Sequence, residues 1–162
     1  MAVTIRLVDK ASLIPLFKVK ATPEQRTFVG PNPETIAQAA YDPAAEVYGI
    51  WDAKTAVGLI ALYDYGHPEA ELDDGDDPEG LYLWRLLIGA EFQRWGYGKE
   101  ALTFAIDRAR ALGRPLLYLS AFPAEGTAIP FYEAQGFRKT GRIIDEEIEL
   151  VLRVNGAIGT PT

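Results

Sequence analysis

The chain has 162 residues, 48% of them hydrophobic, and this length can bury enough apolar surface for one compact domain. It contains no cysteine, which excludes disulfides, thiolate metal sites and a cysteine nucleophile and favours a cytoplasmic location. With 16 basic and 23 acidic side chains the net charge is −7, which argues against a nucleic-acid partner and favours small cations. No apolar run approaches the ~20 residues of a membrane-spanning helix, so we expect no membrane partner.

The first third of the chain is predicted to form a strand, two helices and a hairpin. Residues 3–8 have strand composition, and Asp9 follows them as a helix cap. A second helix start is indicated at 32–34, where a proline and an acid stand in the first turn. Residues 47–51 and 56–63 are apolar runs around a polar turn, which predicts an antiparallel hairpin.

An acidic segment over residues 66–80 follows the hairpin. Its seven carboxylates are Glu69, Glu71, Asp73, Asp74, Asp76, Asp77 and Glu79. We expect a solvated loop, although its position before the next strand would allow it to steer a polycation. His67 is the single histidine, and with no cysteine in the chain we expect no metal site.

A β-α-β unit is predicted in the second half. Residues 81–88 are almost continuously apolar, as in a buried central strand, and residues 98–112 have the apolar stripe of a helix that ends at Gly113. A further strand at 116–122 should run parallel to the first through a right-handed crossover. The remaining predicted elements are a helix from Thr127 to Gln135 and strands at 137–142 and 147–154.

The turn Gln93-Arg94-Trp95-Gly96-Tyr97-Gly98 lies between the buried strand and the helix. Backbone N–H groups at such a helix start, together with the helix dipole, can bind a pyrophosphate. A dinucleotide-binding fingerprint should follow the first strand and be answered by an acid about 20 residues later. No such acid ends the strand at 116–122, so we reject that interpretation.

This turn, followed by a helix, a strand and Phe131-Tyr132-Glu133-Ala134-Gln135-Gly136-Phe137, resembles the GNAT N-acetyltransferases. Shorter segments are similar to the bacterial spermine/spermidine acetyltransferase branch: Pro23-Glu24-Gln25, Phe28-Val29, Val57-Gly58 and Leu83-Trp84-Arg85. The resemblance implies an α/β fold with a mixed, mostly antiparallel sheet of six or seven strands, one splayed parallel pair and about four flanking helices. It also implies a single domain over residues 1–155, and we expect a loose tail at 156–162.

Acetyl-CoA is the cosubstrate that the resemblance implies, bound between the strands at 81–88 and 116–122. Pantetheine would pair with the backbone of Leu86, Leu87 and Ile88. The pyrophosphate would contact Gln93, Arg94, Trp95, Gly96, Tyr97, Gly98 and Lys99. Glu125 stands where many members have an asparagine, seven residues before the tyrosine, so the pantetheine contact at this position departs from the family pattern.

Tyr132 is the predicted catalytic residue, because the resemblance implies that its phenol protonates the departing thiolate. Backbone N–H groups near Leu87 or Ile88 could hold the oxyanion. Packing in the core is the alternative role for this tyrosine. No direct general base is assigned, and the candidates for a water-mediated one are Glu24, Glu34 and Glu149. Glu147 and Glu149 are expected to be exposed by strand alternation.

The sequence therefore predicts an acetyl-CoA-dependent N-acetyltransferase that acts on a primary amine, with a polyamine as the leading candidate. Glu24, Trp84 and Glu149 are the predicted substrate-binding residues. Another amine acceptor (an amino acid, an aminoglycoside or a protein N-terminus), a non-catalytic acyl-CoA-binding module and a dimerisation domain are the alternatives. A homodimer is one possible assembly.

Overall fold

The computed structural model describes residues 2–27 and 29–154. In these ranges the chain forms a seven-stranded sheet of order β1-β2-β3-β4-β5-β7-β6 and four α-helices. The strands are β1 Val3–Leu7, β2 Ala45–Asp52, β3 Thr55–Asp64, β4 Gly80–Ile88, β5 Leu116–Ala121, β6 Arg138–Ile144 and β7 Glu147–Arg153. The helices are α1 Leu13–Phe17, α2 Asn32–Ala39, α3 Tyr97–Leu112 and α4 Ile129–Ala134, with 3-10 turns at Lys10–Ser12, Gln25–Thr27 and Ala90–Phe92. The tail expected at 156–162 lies outside the described residues.

One parallel pair divides the sheet, as predicted. Strands β4 and β5 pair in parallel from Gly80↔Leu116 to Leu83↔Leu119, whereas the other neighbouring strands are antiparallel. Beyond Leu83, β4 continues along β3 and β5 continues along β7, so the two strands separate. The split leaves one backbone edge of the end of β4 without a strand partner.

A β-bulge at Trp84 changes which face β4 presents. Ala61 of β3 pairs with Arg85 and Leu62 pairs with Leu83, so Trp84 is the extra residue on β4. An extra residue shifts the strand's alternation by one position. Trp84 packs on the same face as Ala61, and Arg85 is the register partner of Ala61. Two consecutive side chains therefore lie on one face of the sheet.

Helix α3 packs against the opposite face, where the main core lies. Ala101, Leu102, Ala105 and Ala109 are buried along one stripe of the helix, as the apolar periodicity predicts. Gly113 ends the helix in a left-handed conformation with φ 71°. None of the described helices is both long and apolar enough to cross a membrane.

The acidic segment is held to the sheet by specific contacts, which the prediction of a solvated loop did not anticipate. An Asp76 oxygen accepts from Arg142 at 2.8 Å, and the Asp74 carbonyl accepts from the same guanidinium at 2.7 Å. Asp77 accepts from the Tyr118 hydroxyl at 2.8 Å. The segment is thereby joined to β5 and β6.

Candidate active site

A cavity of about 870 Å³ passes through the split between β4 and β5. One end reaches the turn before α3, and the other reaches the sheet face that carries Trp84 and Arg85. Residues of β4, α3, β5, α4, β7 and the loops beside them line it, among them Tyr65, Asp73, Asp76, Tyr82, Trp84 to Ile88, Gln93, Arg94, Gly96 to Lys99, Ser120, Thr127, Tyr132, Asp145 and Glu147. The cavity extends from the predicted pyrophosphate-binding turn at residues 93–99 to Glu147, the first residue of β7.

The turn before α3 has the backbone geometry of an anion site. Arg94 and Gly96 have positive φ angles of 67° and 90°, and the first N–H groups of the helix have no acceptor within it. Gly98 leaves room for a ligand, because an added Cβ would meet only the Phe131 ring, at 3.8 Å. These observations fit the pyrophosphate of a coenzyme A derivative.

Two residues of this turn that were predicted to contact the pyrophosphate, Trp95 and Tyr97, make packing contacts with other parts of the protein. Trp95 is 60% exposed, does not line the cavity and stacks on the Tyr97 ring at 6.2 Å. Tyr97 is buried, and its hydroxyl donates to Asp52 at 2.5 Å, which ties the start of α3 to the end of β2. Tyr97 therefore packs and positions the helix while it lines the cavity.

Every second residue of β4 directs its backbone N–H and C=O groups to the unpaired edge of the strand. Gly89 N donates to Val57 O at 2.8 Å, so alternation in the antiparallel ladder directs the Leu87 backbone towards β3. The backbone groups of Leu86 and Ile88 point the other way, into the split. Of the three residues predicted to pair with pantetheine, Leu86 and Ile88 have backbone groups that face the split, where the Ile88 carbonyl also accepts from Gln93. The prediction for Leu87 is wrong, because its backbone groups are directed towards β3.

The Tyr132 side chain is 8% exposed, and it lines the cavity. Its ring packs edge-on against Phe131 and Phe137, with centroid distances of 5.3 and 5.7 Å. Burial raises the pKa of the Tyr132 phenol above its ordinary value. The hydroxyl therefore stays protonated at neutral pH and can act as a proton donor.

Glu147 is a carboxylate that sequence reasoning did not select for the site. One of its oxygens lies 3.4 Å from the Ser120 hydroxyl, which lies 2.6 Å from the Tyr82 hydroxyl. Desolvation raises the pKa of Glu147, while the Ser120 hydrogen bond and the Arg85 charge oppose that rise. A half-buried carboxylate with a raised pKa in a cavity is suited to accept a proton.

Glu149, the predicted substrate-binding residue on the same strand, is buried away from the cavity. Its oxygens accept from Thr140 at 2.9 Å and from Arg142 at 3.1 Å. Strand alternation places Glu147 and Glu149 on one face, but neither is fully exposed as expected. The two glutamates differ in burial because β7 pairs between β5 and β6, and this strand order cannot be read from the local sequence.

The other predicted site residues divide between the cavity and the surface. Trp84 lines the cavity, whereas Glu24, Glu34 and Glu125 are exposed and do not. Gly126, Thr127 and Ala128, which follow Glu125, line it instead. Across the described ranges, no group of three or more histidine and carboxylate side chains is placed to hold a metal ion.

A pair of glutamines joins the cofactor turn to the segment before α2. Gln93 Nε2 donates to Gln25 Oε1 at 2.6 Å and to the Ile88 carbonyl at 3.1 Å. Gln25 Nε2 returns a contact to Gln93 Oε1 at 3.3 Å. The segment over residues 22–27 is thus held beside the cavity by the first residue of the turn.

The chain is an α/β protein with a mostly antiparallel sheet that is split at one parallel pair, and a turn with positive φ angles follows the split strand β4. The sequence model of the acetyltransferase (GNAT) family matches residues 15–137, and the chain belongs to this family.

Individual relatives are more distant. An uncharacterised N-acetyltransferase from Lactobacillus delbrueckii subsp. lactis is 28% identical over 78 residues, 46% of this chain, and the match spans 45% of that relative. The spermidine N-acetyltransferase of Vibrio cholerae, solved with CoA and spermine, has a TM-score of 0.72 at 17% identity, covering 96% of this chain and 97% of that one. The PaiA N-acetyltransferase of Thermoplasma acidophilum, solved with coenzyme A, has a TM-score of 0.70 at 15% identity, with 94% and 99% covered. At these identities the structural likeness shows the fold.

Proposed function

We propose that the protein transfers an acetyl group from acetyl-CoA to a primary amine. One observation carries the proposal: a single cavity connects the anion-binding turn, the free edge of β4, the buried phenol of Tyr132 and the carboxylate of Glu147. Family membership supports the same chemistry. Acyl transfer requires a site for the acyl donor, which the turn and the strand edge would provide. It also requires a base for the amine and an acid for the leaving thiolate, which Glu147 and Tyr132 would provide.

The cofactor end is supplied by the turn and the strand edge. Gln93, Arg94, Gly96, Gly98 and Lys99 hold the pyrophosphate, with two side-chain cations and the N–H groups of the first helical turn. Leu86 and Ile88 hold the pantetheine through their backbone groups, as a neighbouring strand would. Bound there, acetyl-CoA supplies an activated thioester at the centre of the split.

At the end of the cavity where the amine would bind, side chains would remove a proton from it. An alkyl ammonium has a pKa near 10 and must lose a proton before its nitrogen can attack. The Ser120 oxygen can accept a proton from the ammonium on its second lone pair as it passes its own proton to Glu147, and the Tyr82 hydroxyl, 2.6 Å away, can hold Ser120 in place. At the opposite side of the thioester, the Tyr132 hydroxyl donates a proton to the departing sulfur.

A polyamine is a narrower proposal for the acceptor, and it is supported by the acidic and aromatic residues that line the cavity. Asp73 and Asp76 line the cavity with the aromatic rings of Tyr65, Tyr82 and Trp84, and such walls attract ammonium groups. Asp76 is already paired with Arg142, however, which reduces the negative charge that it offers. The solved spermidine N-acetyltransferase shares the fold, at 17% identity. A salt series with spermine tests this proposal, because a steered polycation should show a Michaelis constant that rises with ionic strength.

Incubation with acetyl-CoA and a panel of amines, read by release of free thiol, tests the general proposal. The panel contains spermidine, spermine, amino acids, an aminoglycoside and an N-terminal peptide. We expect thiol release with at least one primary amine and none with its N-methylated tertiary counterpart. Tight CoA binding without turnover on any amine would favour the acyl-CoA-binding module.

A cytoplasmic location and a homodimer belong to the same proposal. Cell fractionation and light scattering of the purified protein test them separately.

A further inference from the structure

Arg85 is a cation inside the acceptor end of the cavity. The bulge at Trp84 directs Arg85 to the face of Ala61 and Leu59, which is opposite to the face covered by α3. The side chain lines the cavity together with Tyr82 and Glu147. A guanidinium therefore stands at the place where the acceptor amine must enter.

Among the residues that the structure describes, the Glu147 carboxylate interacts with this guanidinium through charge but makes no direct contact with it. Arg85 forms no salt bridge or hydrogen bond with any of the described residues, and its Nε is buried without an acceptor. Its carbon Cζ lies 5.6 Å from the centroid of the Trp84 ring. A Cβ at Gly30 would come within 3.0 Å of the guanidinium, so this glycine leaves room for it.

The arrangement differs from that of three other half-buried arginines. Arg108, Arg114 and Arg142 each make salt bridges at 2.7 to 2.8 Å. A buried N–H group without an acceptor, such as Arg85 Nε, loses its hydration without gaining a hydrogen bond in return. An anionic group on a ligand would restore the missing hydrogen bonds, and the planar fork of arginine fits a carboxylate in two-point contact.

We infer that the acceptor carries a carboxylate as well as its amine, and that Arg85 binds this carboxylate. The inference rests on the proposed transfer to a primary amine and deepens it, with an acceptor that replaces the polyamine: the substrate class is a small amino acid or a similar amino carboxylate. Arg85 holds the acid group while the amine is directed towards Ser120 and Glu147. Asp73, Asp76, Asp145 and Glu147 also line the cavity, and their negative charge favours a singly charged carboxylate over a doubly charged phosphate.

Matched pairs of acceptors separate the contribution of the carboxylate from that of the amine. The probes are alanine, valine, leucine, methionine and phenylalanine, each paired with its carboxamide, with spermidine added as a polycation. The kcat/KM for each is measured by thiol release over a pH series, so that pairs are compared at equal fractions of neutral amine. For at least one pair, wild-type protein should favour the acid over the amide by roughly 10- to 100-fold, the range of a charge-assisted hydrogen bond.

Variants of Arg85 assign that preference. Arg85→Gln should reduce the acid-to-amide ratio to about one, and Arg85→Lys should retain part of it because the charge remains and the fork is lost. Arg138→Gln is the matched control, since Arg138 is an exposed arginine on β6. It should leave the ratio unchanged. A ratio near one in wild-type protein, or an undiminished ratio in Arg85→Gln, overturns the inference.

Spermidine distinguishes the polyamine alternative. If spermidine has the highest kcat/KM and Arg85→Gln raises it further, Arg85 repels the true acceptor and the inference is wrong. If no amine releases thiol, the proposed function fails, and the inference is then decided by calorimetry on the CoA-loaded protein. Binding of an amino acid that is lost in Arg85→Gln supports the carboxylate site, and equal binding of acid and amide overturns it.

Discussion

At the scale of single residues, the proposed chemistry depends on two groups whose pKa values are shifted by burial. The phenol of Tyr132 and the carboxyl of Glu147 line the same cavity, and desolvation disfavours the charged form of each. The phenol is consequently kept as an acid at neutral pH. The carboxylate becomes a better base than an exposed one, because its raised pKa is closer to neutrality.

Tyr132→Phe should lower kcat by roughly 10²-fold or more while it keeps the fold and the affinity for CoA. The change removes only the hydroxyl, and the ring contacts with Phe131 and Phe137 remain. Steady-state kinetics and CoA calorimetry measure the two effects. Tyr41→Phe is the control, because Tyr41 is 91% exposed. Unchanged turnover in Tyr132→Phe would leave this tyrosine with a packing role alone.

Glu147→Gln should lower kcat/KM by roughly 10²- to 10⁴-fold, since the amide cannot accept a proton. In wild-type protein kcat/KM should fall as the pH falls through the raised pKa of Glu147, and the variant should lose this limb of the profile. The contribution of Glu147 to the free energy of unfolding should depend on pH in the opposite sense to kcat/KM. The folded-state pKa lies above the unfolded value, so the stabilisation of the protonated form is lost as the pH rises through it.

The neutral variant avoids that loss, and thermal unfolding at neutral pH should show Glu147→Gln to be at least as stable as wild type. Glu133→Gln, an exposed change on α4, should leave rate, pH profile and stability unaltered. A wild-type profile without the acidic limb, or a fully active Glu147→Gln, would remove Glu147 from the reaction.

At the scale of elements, the start of α3 combines packing and ligand binding. Gly96 precedes the helix in a left-handed conformation, and Tyr97 anchors the first turn to Asp52. Gly98 faces the cavity with no neighbouring side chain closer than ordinary contact. Tyr97 thus fixes the start of the helix, and Gly98, the next residue, leaves space for a ligand beside it.

Gly98→Asp should fold normally and lose affinity for CoA by at least tenfold. An acid in the first turn is compatible with the helix dipole, but it occupies the ligand's space and repels the pyrophosphate. Calorimetry with CoA and circular dichroism measure the two properties. Ala111→Asp adds the same charge at the far end of α3, on an exposed position, and should bind CoA as wild type does. Equal affinities in both variants would show that the cofactor lies elsewhere.

The same helix is held to β2 by a two-point ion pair. Arg108 donates to the two oxygens of Glu46 at 2.8 and 2.7 Å, and the Tyr48 hydroxyl donates to Glu46 at 2.6 Å. The Arg108 hydrogen bond is the main reason that the pKa of Glu46 is lowered, against the opposing effect of burial. The carboxylate is therefore stabilised in its charged form.

Arg108→Gln should lower the free energy of unfolding by about 1 kcal/mol at neutral pH, a value limited by the partial exposure of both side chains. Because the folded-state pKa of Glu46 is lowered, this stabilisation is present above the unfolded pKa and is lost as the pH falls through the folded one. Urea unfolding at neutral and acidic pH should show the difference shrink. Asp107→Asn removes an exposed pair and should change stability by less. A difference that grows in acid would contradict the assignment.

At the scale of the whole molecule, one arginine joins the acidic segment to the last two strands of the sheet. Arg142 of β6 donates to Asp76 of the acidic segment at 2.8 Å and to Glu149 of β7 at 3.1 Å. The side chains of Asp76 and Glu149 are only 8% and 6% exposed. The segment that carries most of the excess negative charge is in this way fixed beside the cavity.

Arg142→Gln should destabilise the fold by about 3 kcal/mol, because it leaves two nearly buried carboxylates without their cation. For a chain of this size that corresponds to a fall in Tm of roughly 6 to 12 °C. Hydrogen exchange should show increased exchange over residues 66–80. Arg138→Gln on the same strand should leave both measurements unchanged, and a stable Arg142→Gln would mean that the segment is held by its other contacts.

The sequence by itself determined the local parts of this protein. Strand and helix periods, the turn before α3 and the place of Tyr132 on its helix depend on neighbours within a few residues. The sheet of six or seven strands with one splayed parallel pair, which the family resemblance implied, is confirmed with seven strands. Other features were decided by tertiary structure. The pairing of β7 between β5 and β6 places Glu147 beside Ser120 and buries Glu149. The bulge at Trp84 turns Arg85 into the cavity. These outcomes depend on register and on contacts between residues far apart in the chain, which no local period encodes.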